Sequence, residues 1–234
     1  MSQLALPIGL ADHAVFTSFV AAGNEELWQL LQSIAEAKSG TGCWIWGAAA
    51  TGKTHLLQAV CERAGDRAAF VPLGALADAG AGMLQGLESR ELVCLDDLQL
   101  IAGRADWEHA LFTLYNELQQ HAGQLVVAAS MPPRECPIEL PDLLSRLTQL
   151  PSYNVRPLAD AERIAALVLR AKQRGLYLPD EAARYLLTHS RRDMGSLYDL
   201  LDRLDKEAMR AQRRLTVPFV SEMLRKMTTD QGLT

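Results

Sequence analysis

The chain has 234 residues, 49% of them apolar, and a formal net charge of −5, which suits one large domain or one and a half small ones around a proper core. No apolar run approaches the roughly 18 residues of a membrane helix. The opening residues lack a basic stretch followed by an apolar one, so no secretory signal is expected and a cytoplasmic location is the default reading.

The charge is uneven, −9 over residues 1–155 and +4 over 156–234, which predicts two subdomains. So acidic a larger part argues against wholesale DNA wrapping, which needs many phosphate-neutralising cations. Cys43, Cys61, Cys94 and Cys136 form no C-x-x-C pair and read as buried thiols in a reducing compartment.

In chain order, Gln3-Leu4-Ala5-Leu6-Pro7-Ile8 reads as an edge strand, a frayed terminus or a linear docking peptide whose apolar side chains fill pockets. Asn24 is the expected N-cap of a helix running to Lys38, with Glu25 and Glu26 facing its positive end and Leu27, Leu30, Leu31 and Ile34 at helical spacing. Cys43-Trp-Ile-Trp46 is a short buried strand. It leads into Gly47-Ala-Ala-Ala50-Thr51-Gly52-Lys53-Thr54, the G-x-x-x-x-G-K-[ST] phosphate loop. Gly47 and Gly52 let that loop curl, and its N–H groups with the following helix N-terminus aim positive charge at an anion. Lys53 supplies a cation for the β/γ-phosphates, and the Thr54 hydroxyl is placed to hold Mg²⁺.

A helix to about Ala64 follows, then a strand at Ala68–Pro72 and a Gly/Ala-rich loop with a short helix over 74–87. Leu92-Val-Cys-Leu95 is a continuous apolar run, as in a parallel strand covered on both faces. It delivers Asp96 and Asp97 to the strand end, the Walker-B position, where Asp96 would hold the Mg²⁺ shell and Asp97 would orient or polarise the attacking water. The alternative is an Asp-Asp turn former. Trp107–His121 is an amphipathic helix through Leu111, Leu114, Tyr115 and Leu118. Gln124–Ala129 is a buried strand ending at Ser130, which reads equally as a turn former or as a hydroxyl near the γ-phosphate. Pro141–Leu147 is a short helix carrying Arg146. From residue 160 only helices are expected, roughly Asp160–Arg174, Pro179–Ser190, Met194–Gln212 and Pro218–Lys226. The boundaries are therefore a tail (1–22), an α/β nucleotide-binding lobe (23–157) and a helical lid (158–234).

The P-loop, strand-end Asp-Asp, Ser130 strand, Ser145-Arg146 pair and helical lid together resemble the AAA+ module, an α/β P-loop NTPase lobe with a parallel sheet followed by a small lid. Gly52-Lys53-Thr54-His55-Leu56-Leu57, Leu95-Asp96-Asp97-Leu98-Gln99 and Leu140-Pro141-Asp142-Leu143-Leu144-Ser145-Arg146-Leu147 resemble the replication initiator DnaA. The opening hexapeptide, Asp106-Trp107-Glu108 with Leu114-Tyr115-Asn116, and Ala211–Val220 are closer to the Hda family of DnaA-related regulators. That resemblance spans essentially the whole chain.

The resemblance implies a nucleotide pocket built from Gly47, Ala50, Thr51, Gly52, Lys53, Thr54, His55, Asp96 and Ser130, holding ADP or ATP with Mg²⁺ on Thr54 and Asp96. It implies that Gln3, Leu4, Leu6, Pro7 and Ile8 bind the DNA polymerase III β sliding clamp, and DNA only indirectly through it. It further implies that Arg146 is an arginine finger reaching into the nucleotide site of a neighbouring DnaA. Two departures stand out. Ala50 replaces a third loop glycine, and Gly195 falls where lids of this kind carry the sensor-2 arginine, so slow or negligible self-hydrolysis and an ADP-bound working state are expected. The rival readings are an autonomous ATP-driven remodeller of the helicase-loader kind and a DNA-binding initiator. A homo-oligomer is left open, and no membrane partner is expected.

Overall fold

The computed structural model describes residues 14–37 and 42–231, with side chains to residue 227. The proposed clamp-binding residues Gln3, Leu4, Leu6, Pro7 and Ile8 lie outside the described residues. The chain divides into two compact units between Arg156 and Pro157.

In the first unit a 3₁₀ turn at Phe16–Ser18 precedes α1 (Glu25–Ala35), β1 (Gly42–Trp46), α2 (Lys53–Ala64), β2 (Ala68–Pro72) and α3 (Leu73–Leu76). Then follow β3 (Leu92–Asp96), α4 (Ala105–Gln120), β4 (Gln124–Ala129), α5 (Pro141–Leu147) and β5 (Ser152–Asn154). The five strands form one parallel sheet in the order β2-β3-β4-β1-β5. Successive strand residues point to opposite faces, and here both faces are covered. Cys43, Ile45, Cys94, Val126 and Ala128 pack with Leu31, Ile34, Leu56 and Val60 of α1 and α2. Trp44, Val93, Leu95, Leu125 and Val127 pack with Trp107, Leu111, Leu114, Leu143 and Leu147 of α4 and α5. Burial on both faces is what turns β3 and β4 into the unbroken apolar runs seen in the sequence. Each such leucine or isoleucine contributes roughly 1.5–3 kcal/mol by leaving water. The Trp44 indole is also satisfied, its Nε1 donating to Met131 O at 3.0 Å.

Asn24 occupies the N-cap position of α1, but its side chain is employed elsewhere. Oδ1 accepts from Arg156 N at 2.8 Å and Nδ2 donates to Arg156 O at 3.1 Å. The buried amide thus ties the start of α1 to the residue that closes the first unit.

All four cysteines are free and buried. Burial pushes the Cys43 thiol up to about 12 and, with help from the Glu108 charge, Cys136 up to about 11. Cys94 is raised well above the usual thiol value, first by its hydrogen bond with Cys61 and then by burial.

The second unit is helical: α6 (Asp160–Gln173), α7 (Asp180–His189), α8 (Met194–Ala211) and α9 (Val217–Gln231). Leu167, Ala171, Leu186, Leu197, Leu201, Leu204, Phe219 and Val220 form its core. Asp193 caps α8, its Oδ1 accepting from Ser196 N at 2.8 Å. No helix among the described residues is long and apolar enough to cross a membrane.

Candidate nucleotide-binding site

The strand order decides where the functional residues meet. β4 is inserted between β1 and β3, so the ends of three adjacent strands present Gly47, Ser130 and Asp96 side by side. Gly47 N donates to Ala129 O at 3.3 Å, linking the first two.

Gly47 has no room for a side chain, since a Cβ there would lie 2.7 Å from Val155 O. Gly52 sits at φ 98° with the Phe19 ring over it, and a Cβ would come within 2.9 Å of Phe19 Cε2. Both glycines are thus required by close approach as well as by loop curvature. Ala50 adopts φ 60°, a left-handed conformation that favours glycine. The backbone shape that a third glycine would allow is therefore kept by an alanine under strain. Thr51 donates its hydroxyl to Ala48 O at 3.0 Å, stiffening the turn.

Lys53 is buried, and its Nζ donates to Gly47 O and Ala48 O at 2.8 Å each. Burial lowers its pKa, opposed by the nearby charges of Asp97 and Asp96. Asp96 is 3% exposed, and its carboxyl is raised above the usual carboxylate value, chiefly by burial and against the Thr54 hydroxyl that donates to it. Its Oδ1 is buried without a hydrogen-bond partner. A buried anionic oxygen left unpaired is costly, and the hydroxyl of exposed Thr54 lies beside it. Mg²⁺ fits this donor set, because it takes one or two protein oxygens and completes its shell with phosphate and water. Among the described residues no group of three or more His, Cys, Asp or Glu offers an all-protein metal cage.

Asp97 lies just beyond β3 at φ 58°. Its Oδ1 accepts from Gln99 Nε2 at 3.0 Å, while Gln99 Oε1 accepts from Ser130 N at 3.0 Å. Gln99 therefore bridges the ends of β3 and β4, a function not assigned from sequence. The signal available was the Asp97-x-Gln99 spacing on the turn after the strand, but the Ser130 half of the bridge is a tertiary contact. His55 meets the segment before α1. Its Nε2 lies 3.0 Å from Ser18 Oγ and 3.1 Å from Val15 O, and its ring sits 5.7 Å from that of Phe19. The segment before α1 thus packs on α2 and the loop, which no periodicity announced. Arg146 is exposed on the last turn of α5.

Residues 160–224 match the family model described as Hda, lid domain. Over most of its length the chain superimposes on domain III of the DnaA replication initiation protein of Thermotoga maritima. The TM-score is 0.78 at 18% identity, covering 92% of this chain and 97% of that one. It is also similar to AMPPCP-bound DnaA from Aquifex aeolicus, with TM-score 0.73, 21% identity, and coverage of 94% and 71%. A more distant likeness is to the RuvB Holliday junction branch migration motor of Thermotoga maritima, with TM-score 0.62, 15% identity, and coverage of 90% and 72%. The fold is that of the AAA+ modules of DnaA and RuvB, with an Hda-type lid.

Proposed function

Starting from a DnaA-related AAA+ fold whose lid matches that of Hda, we propose that this chain is a negative regulator of replication initiation. It acts as an ADP-bound adaptor that binds the β sliding clamp through Gln3, Leu4, Leu6, Pro7 and Ile8 and stimulates ATP hydrolysis by DnaA. The observation that carries the reading is the Hda lid match at residues 160–224, joined to a sequence resemblance that runs from the opening hexapeptide to the last helix.

In its own pocket, Lys53, whose Nζ rests on the carbonyls of Gly47 and Ala48, would supply the cation for the phosphates, and Thr54 with Asp96 would hold Mg²⁺. AMPPCP in the Aquifex aeolicus DnaA relative supports a nucleotide in this fold. Gly195, the second residue of α8, brings no cation where the resemblance calls for one. The pocket then works as a brace more than as a catalyst, even though Asp97 and Ser130 are present.

The chemistry falls to Arg146, an exposed guanidinium at a helix end. It enters the neighbouring DnaA site and neutralises charge developing on the γ-phosphoryl oxygens; such fingers are worth about 10³–10⁵ in rate. Arg146→Ala is expected to abolish stimulation of DnaA ATPase on clamp-loaded DNA while ADP binding persists. Brisk single-turnover hydrolysis by the isolated protein would favour the autonomous remodeller instead.

A further inference from the structure

Glu108 is a carboxylate on α4 that is 1% exposed. Its charge is met by three backbone N–H groups from two separate loops. Gly103 N donates to Oε1 at 2.7 Å, Glu139 N to both oxygens at 3.0 and 3.1 Å, and Leu140 N to Oε2 at 2.7 Å. Charge-assisted bonds of this kind are among the strong ones, and burial makes their loss costly. What they hold is informative. Leu140 is the residue from which α5 starts, and Pro141 at its first position has no N–H of its own. Gly103 closes the turn that leaves Asp96, Asp97 and Gln99 on the way to α4.

α5 has seven residues, about 10 Å of helix, too short to bend. Leu143 and Leu147 bury one side of it in the core beside Trp107 and Leu111. With that side packed and its first residue fixed, the direction of the exposed Arg146 on its last turn is determined. We propose that Glu108 is the positioning residue for Arg146, tying the loop behind the chain's own nucleotide site and the entry of the finger helix to one buried point. This rests on the reading of Arg146 as a finger acting in trans.

Glu108→Gln keeps the shape but sets an NH₂ donor against a backbone donor. With full-length protein, DnaA and clamp-loaded DNA, the maximal rate of stimulated hydrolysis is expected to fall about tenfold to a hundredfold, as for a reacting group displaced by about 1 Å. The half-saturating concentration and the ADP affinity are expected to stay within about twofold of wild type. Amides of Gly103 and Leu140 should exchange hydrogen at least about ten times faster. A merely structural role gives a different split, because partly unfolded protein loses potency yet reaches the same maximum when more is added. If the glutamine variant does not fold, Glu108→Asp, which withdraws the charge by one methylene, is expected to show the same lowered maximum. An unchanged maximum in a folded variant, beside lost stimulation by Arg146→Ala, overturns the positioning role and leaves the finger standing. Full stimulation by Arg146→Ala overturns the finger itself.

Discussion

Ala50 carries the phosphate loop through φ 60°, a region that costs an L-residue roughly 1–2 kcal/mol. Ala50→Gly removes that strain but frees the unfolded chain, which takes back roughly 0.4–1 kcal/mol. The expected outcome is a net gain between about zero and about 1.5 kcal/mol, measured as a higher urea midpoint without nucleotide, with an unchanged slope. A loss of stability would mean that the alanine methyl contributes packing. At this scale the sequence was readable where a motif fixes the spacing: Gly47, Gly52, Lys53, Thr54 and Asp96 stand out as a pattern without any fold. Gln99 to Ser130, Glu108 to Leu140 and Asn24 to Arg156 were not, because each bond spans 31, 32 or 132 residues and follows from tertiary packing rather than local pattern.

Among the elements, α8 owes its start to Asp193. The bond from Ser196 N is the largest of the causes that depress the Asp193 carboxyl below its usual value of 3.8. A folded-state value below the unfolded one means stability that is present above the unfolded value and lost as pH falls through the folded one. Asp193→Ala is therefore expected to cost about 1 kcal/mol at pH 7, as for other N-caps, and progressively less below pH about 3.8. Thermal melts of both proteins across that range check it, and a difference independent of pH would assign the cost to helix propensity alone.

Helices α4, α6, α7 and α8 and strands β1 to β4 were legible because burial on a fixed face imposes period or an unbroken apolar run. β5 was not. Its Ser152-Tyr153-Asn154 has no buried residue and exists only because it pairs with Trp44–Trp46 at the sheet edge. Asn24 kept its N-cap position while its side chain left the helix, since the Arg156 backbone offers both a donor and an acceptor.

For the whole molecule, a nucleotide bracing the fold as proposed must stabilise it by mass action. ADP with Mg²⁺ at a hundred times its dissociation constant is expected to add about 2.7 kcal/mol and to raise the melting temperature. Lys53→Ala, which also frees the carbonyls of Gly47 and Ala48, is expected to remove most of that increment without unfolding the protein. Differential scanning calorimetry with and without ADP distinguishes the two. An equal shift in the variant would place the stabilisation outside the phosphate loop.

The seclusion of Cys43, Cys61, Cys94 and Cys136 has a practical sequel. With thiols so enclosed, the wild-type chain should react with maleimides only as fast as its interior opens, making alkylation a clock for breathing of the first unit. A single cysteine introduced beside Arg146 would then take a fluorophore alone, and its emission would report in real time whether the proposed encounter with DnaA takes place.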